Sequence, residues 1–97
     1  SVTSTVGAGA IKDAGVEVPF AGFDLAVEIA NAVESGAMFA TMDQQPYLQG
    51  YLAVDSLWLA KRNGATLGGG QAVYTGPSFV DSSNVDTIEE AAKAGMR

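Results

Sequence analysis

Apolar side chains recur four apart at the start of the chain, at Val6, Ala10 and Ala14, and Gly15 follows as a stop. That spacing predicts a helix over residues 1–15. The next run, Val-Glu-Val-Pro-Phe-Ala-Gly-Phe from Val16 to Phe23, reads as a short buried strand. Pro19 falls near its start, where the missing N–H costs little. From Leu25 to Ser35 the helical period returns, with Leu25, Ile29 and Val33 in one stripe and Glu28 and Glu34 off it. Gly36 suits a left-handed C-terminal cap. Met38 to Met42 is the next apolar strand, and Pro46 opens the longest helix, Tyr47 to about Arg62, because a first turn leaves its N–H groups unpaired anyway.

Asn63-Gly64 ends that helix, and residues 65–70 form a Gly-rich loop. Gln71–Tyr74 and Ser78–Val80 are strand-like pieces separated by Gly76-Pro77, and Asn84 or Asp86 caps a final helix, Thr87 to Ala94. Strands alternating with helices predict an α/β layered architecture with parallel strands. No internal repeat is present, and no linker divides the chain, so 97 residues make one small domain.

Composition narrows the chemistry. Five basic against eleven acidic residues give a net charge of −6, which argues against a nucleic-acid groove or an anionic membrane surface. With no His and no Cys, imidazole base chemistry, thiolate nucleophiles, disulfides and His- or Cys-ligated metals are all excluded. No stretch approaches the roughly 18 uninterrupted apolar residues of a membrane span. The chain begins at Ser1 with no targeting pattern, and the expectation is that the natural polypeptide continues upstream.

Gly7-Ala8-Gly9 resembles the opening of a dinucleotide fingerprint, but Lys12 stands where the third glycine belongs, so an Ala/Gly-rich helix is the better reading. Gly68-Gly69-Gly70 is followed by no Lys-Ser or Lys-Thr and reads as a flexible connection rather than a phosphate cradle. Asp24 ends one strand and Gln44 follows another. Each also has a plain role, Asp24 as the cap of the next helix and Asp43-Gln44-Gln45-Pro46 as a helix entry. In parallel α/β sheets, however, ligands bind beyond the carboxyl ends of strands. Two neighbouring ends would aim a carboxylate and an amide into one crevice, a pairing suited to a polyhydroxylated ligand. Phe23 beside them either offers an apolar face to sugar C–H groups or packs in the core. Tyr47, Leu48, Tyr51, Leu52, Trp58 and Leu59 lie on adjoining faces of the long helix and are read as core. Glu89-Glu90 and Asp81…Asp86 read as solvated helix and cap residues. No catalytic constellation is evident, and no cofactor or metal is expected.

Gly22-Phe23-Asp24, the Ser35-Gly36 helix end, Ala40-Thr41-Met42-Asp43-Gln44-Gln45-Pro46-Tyr47-Leu48-Gln49-Gly50-Tyr51 and the closing Tyr74-Thr75-Gly76-Pro77…Val80…Asn84-Val85-Asp86 carry a family resemblance. In this order they resemble the C-terminal third of a periplasmic sugar-binding protein of the ribose/galactose-binding class, which serves bacterial ABC importers. That resemblance implies two α/β lobes joined by three crossing segments, with residues 1–44 and 79–97 in the C-terminal lobe and about 45–78 in the other. It implies Asp24 on sugar hydroxyls, Phe23 lining the pocket and Gln44 touching the sugar near the third crossing. A further contact is implied at or just upstream of Ser1. The expected partners are a sugar or polyol and a membrane permease, the expected location is periplasmic, and no enzyme activity is expected. A piece belonging to both lobes and completing neither is expected to leave strand edges and the Tyr/Trp helix face uncovered, and so to self-associate or pair with the missing part. The effector-binding core of a lactose-repressor-type regulator is the alternative, distinguished by a basic helix-turn-helix upstream.

Overall fold

The computed structural model describes residues 2–97, so the expected helix start and ligand contact at Ser1 lie outside the described residues. Four helices, α1 (Val2–Ala14), α2 (Val27–Glu34), α3 (Pro46–Asn63) and α4 (Val85–Lys93), alternate with three strands, β1 (Ala21–Phe23), β2 (Ala40–Asp43) and β3 (Ser78–Asp81). The strands form one sheet in the order β1-β2-β3. β1 and β2 run parallel, with Gly22 opposite Thr41 and Phe23 opposite Met42.

β3 departs from the expected all-parallel sheet. It pairs antiparallel to β2, with Ser78 opposite Asp43 and Asp81 opposite Ala40. The chain leaves β2 at its carboxyl end, makes α3, and re-enters the sheet at that same end, so it can only run back. Gln71–Tyr74 is not a strand, because it has no partner to pair with. Likewise β1 is only three residues long. Val16 to Pro19 precede the point where β2 begins to pair, and Val16 and Val18 stay exposed.

Side-chain alternation along the strands separates two sheet faces. The row Gly22, Thr41 and Val80 is buried toward α1, α2 and α4. There Ile29, Ala30, Val33, Met38, Val80 and Val85 make the core, flanked by Phe20, Leu25 and Ile88. The opposite row, Phe23, Met42 and Phe79, carries no helix, and both phenylalanines are exposed. The molecule is therefore a sheet covered on one face.

Two glycines explain how α1 sits. A Cβ on Gly7 would lie 2.6 Å from Cζ of Phe20, so this glycine inside α1 seats an aromatic ring and forms no cofactor turn. A Cβ on Gly22 would collide with Ser4 Oγ and come within 2.9 Å of Met38 Cε. That close approach lets Ser4 Oγ donate to Phe23 O (3.3 Å) and accept from Phe23 N–H (3.4 Å), occupying polar groups on the edge strand.

α3 behaves differently. The stripe read from sequence as core has no buried residue, and α3 packs on no other helix or strand. The return segment faces one side, where Leu67, Val73 and Thr75 line a hollow together with Gln49, Leu52 and Ser56. On the other side Tyr47, Tyr51, Val54, Leu57 and Trp58 are exposed. The radius of gyration, 16.7 Å, exceeds the roughly 13 Å of a compact chain of this length because α3 projects. Helical spacing identifies a face that needs cover, and this chain supplies none of its own.

Gly22→Ala is expected to destabilise the fold by about 1–3 kcal/mol through overpacking against Ser4 and Met38, seen as a lower thermal midpoint. Gly9→Ala, with nothing within 4 Å of the new methyl group, should not lower it. Trp58, 56% exposed, should emit at long wavelength and be quenched freely by acrylamide in the monomeric chain. Blue-shifted, protected emission would mean that something covers α3.

Candidate functional site

Backbone register brings the two predicted polar residues together. β1 ends at Phe23, and Asp24 N–H extends the ladder by one bond to Met42 O at 2.9 Å. Asp24 then turns with φ +69°, a left-handed conformation that Asp tolerates better than most residues. Its carbonyl accepts from Thr41 Oγ1 at 2.7 Å, so both backbone groups are held. The helix cap that Asp24 could have made is absent: α2 is entered through Ala26 without any side-chain cap bond. The carboxylate instead faces β2, where Oδ1 accepts from Gln44 Nε2 at 2.9 Å.

Gln44 is fixed through its main chain. Its carbonyl accepts from Gln49 Nε2 and from Thr75 Oγ1, both at 2.8 Å. Gln45 next to it has φ +59°, and Gln45 Nε2 donates to the carbonyl of Thr75. Gln45 N–H donates to Oδ1 of Asp43 at 2.9 Å, and Oδ2 of Asp43 accepts from Nε of Arg97 at 2.6 Å. The Asp43 side chain is fully buried, and Arg97 Nη2 continues to Ser78 Oγ at 2.8 Å. A buried carboxylate needs such a charge partner and hydrogen bonds to offset its lost hydration.

Above this framework lies an open cleft of about 700 Å³, within the range of small-molecule sites. One wall is Phe23, Asp24, Met42, Asp43, Gln44 and Gln49; the other is the returning segment Val73 to Pro77. Phe23 is not in the core. It is 63% exposed with its ring on the cleft, and Tyr74 across from it is 86% exposed. Gly76 allows the segments to come close, since a Cβ there would stand 3.2 Å from the carbonyl of Asp43.

The arrangement joins one acid, two amides and two aromatic rings. The carboxylate accepts hydrogen bonds, and the amide groups both donate and accept. Among the described residues, no group of three or more His, Cys, Asp or Glu could hold a metal ion. No helix there is long and apolar enough to cross a membrane. Away from the cleft, Asn84 enters α4 but caps nothing in it; its side chain bonds back to Asp81 N–H and Phe79 O, both at 3.0 Å. The Ser83 hydroxyl and then its backbone N–H hold the Asp81 carboxyl below the usual carboxylate range.

Gln49, Tyr74 and Thr75 belong to the segments that carry the family resemblance, but neither they nor Arg97 are site residues in the sequence reading. Gly76-Pro77 marked a turn after Thr75, but which strand end the turn faced depended on the reversal of β3.

No protein-family model matches the chain, and no curated protein matches it. Among solved structures, a carbohydrate transporter from Acidothermus cellulolyticus 11B, crystallised with myo-inositol, superposes with a TM-score of 0.89 at 45% sequence identity. The match covers 100% of this chain and 34% of the transporter chain, so the chain spans about a third of its length. The mixed α/β architecture is that of the matched part of this transporter.

Thr75→Val removes the hydroxyl that bonds the Gln44 carbonyl and leaves the Gln45–Thr75 bond in place. The expected cost is about 1 kcal/mol, localised as faster amide exchange in residues 73–77 with the α2 core unaffected.

Proposed function

We propose that the chain contributes this cleft to a sugar- or polyol-binding site in an extracytoplasmic solute-binding protein serving an ABC importer. The observation that carries this reading is the Asp24–Gln44 pair, held 2.9 Å apart beyond the ends of two parallel strands, with the exposed Phe23 ring beside it. A ring polyol presents hydroxyls at its edge and C–H groups on its faces. The acid and amide satisfy the first, and the aromatic ring covers the second. The similar transporter was crystallised with myo-inositol, which makes a cyclic polyol the first ligand to test. Its description as a transporter favours this reading over the repressor core and over an enzyme.

The division between lobes belongs to the same proposal. Residues 45–78 carry α3 away from the sheet, and its bare aromatic face is what an element of an opposite lobe would cover. A cleft this open buries few ligand hydroxyls, so binding by this chain alone is expected to be weak. In a two-lobed protein, closure of an opposing lobe over the cleft would dry the site and tighten binding.

Titration of isotope-labelled chain with millimolar myo-inositol should shift the resonances of Phe23, Asp24 and Gln44 while leaving those of α4 in place. Asp24→Ala should weaken binding by about tenfold or more, since hydrogen bonds to charged groups are worth about 1.5–3 kcal/mol, and Gln44→Ala by several-fold, since a neutral hydrogen bond is worth about 0.5–1.5 kcal/mol. Undiminished affinity in both variants would refute the site.

A further inference from the structure

We infer that the Asp43–Arg97 ion pair is the positioning device of the cleft, setting the direction in which Gln44 presents its amide. The inference rests on reading the cleft as a polyol site. Asp43 adjoins Gln44 in the chain and lines the cleft, whereas Arg97 does not line it. Both control the turn that carries Gln44.

The argument follows the bonds. Gln44 stands between Asp43, whose side chain is fully buried, and Gln45, whose backbone is left-handed at φ +59°. A non-glycine residue holds that conformation only when its surroundings impose it. Here Asp43 Oδ1 imposes it by accepting Gln45 N–H at 2.9 Å. The other oxygen, Oδ2, is held by Arg97 Nε at 2.6 Å. Arg97 is held in turn, because Nη2 donates to Ser78 Oγ at 2.8 Å. A guanidinium engages both partners at once because its donors form a rigid fork. Arg97 therefore ties β2 and the start of β3 together beneath the turn. Without it the Asp43 carboxylate keeps its burial and loses its counter-charge, and the least costly relief is rotation toward water. That rotation releases Gln45 N–H, and Gln44 turns away from Asp24. Arg97 is thus a positioning residue, 54 positions from its partner in sequence.

The experiment uses the ligand-free chain and reads two signals: hydrogen exchange at Gln45 N–H and the side-chain amide resonances of Gln44. In Arg97→Met, with native circular dichroism, Gln45 N–H should exchange at least about tenfold faster, the size expected for a lost charge-assisted restraint. The Gln44 resonances should move toward those of a solvated glutamine, and Arg97→Lys should recover part of both changes. Native exchange and native Gln44 resonances in folded Arg97→Met would overturn the inference. Should that variant fail to fold, Ser78→Ala decides: it frees one side of Arg97 and should raise Gln45 exchange about threefold, whereas unchanged exchange would overturn it. Both signals are read without polyol. Failure of the polyol reading would show separately, as cleft resonances of the native chain that ignore myo-inositol.

Discussion

Parallel pairing of β1 with β2 in a register that puts Phe23 opposite Met42 determines where Asp24 and Gln44 stand. One residue beyond Phe23 the chain reaches Asp24, and two beyond Met42 it reaches Gln44. A slip of one residue would exchange the sheet faces, sending Phe23 toward the helices and Gly22 away from Ser4. The register is enforced from the covered face. Gly22 alone leaves room for Ser4 and Met38, and Thr41 reaches the Asp24 carbonyl. The packing of α1 and α2 thus fixes the positions of Asp24 and Gln44, which belong to neither helix.

Two surfaces stand bare among the described residues. One is the sheet row with Phe23 and Phe79, and the other is the aromatic side of α3. A helix with exposed Tyr47, Tyr51 and Trp58 gains little from its own fold, since most helical stability in proteins comes from burying an apolar face. Its local supports are Pro46 in the first turn, Lys61 and Arg62 in the last, and the Arg62 guanidinium 5.4 Å above the Trp58 ring.

Much of this was legible in the sequence, for identifiable reasons. The helices follow from apolar spacing and from Pro and Gly punctuation, which act over a few residues. Asp24 and Gln44 were legible because polar residues right after apolar strands mark strand ends, and strand ends in a parallel sheet converge. The direction of β3 was not legible, since it depends on where the chain re-enters the sheet after α3. With it went the second wall, including Tyr74 and Thr75, and the Asp43–Arg97 pair. The stripe on α3 had the right period, but periodicity does not say whether a partner exists.

The most direct test is a crystal structure of the chain grown in saturating myo-inositol. The account predicts the polyol ring against Phe23, with hydroxyl oxygens within hydrogen-bond distance of both the Asp24 carboxylate and the Gln44 amide. A polyol seated elsewhere, with the cleft empty and the Asp24–Gln44 bond undisturbed, would contradict it.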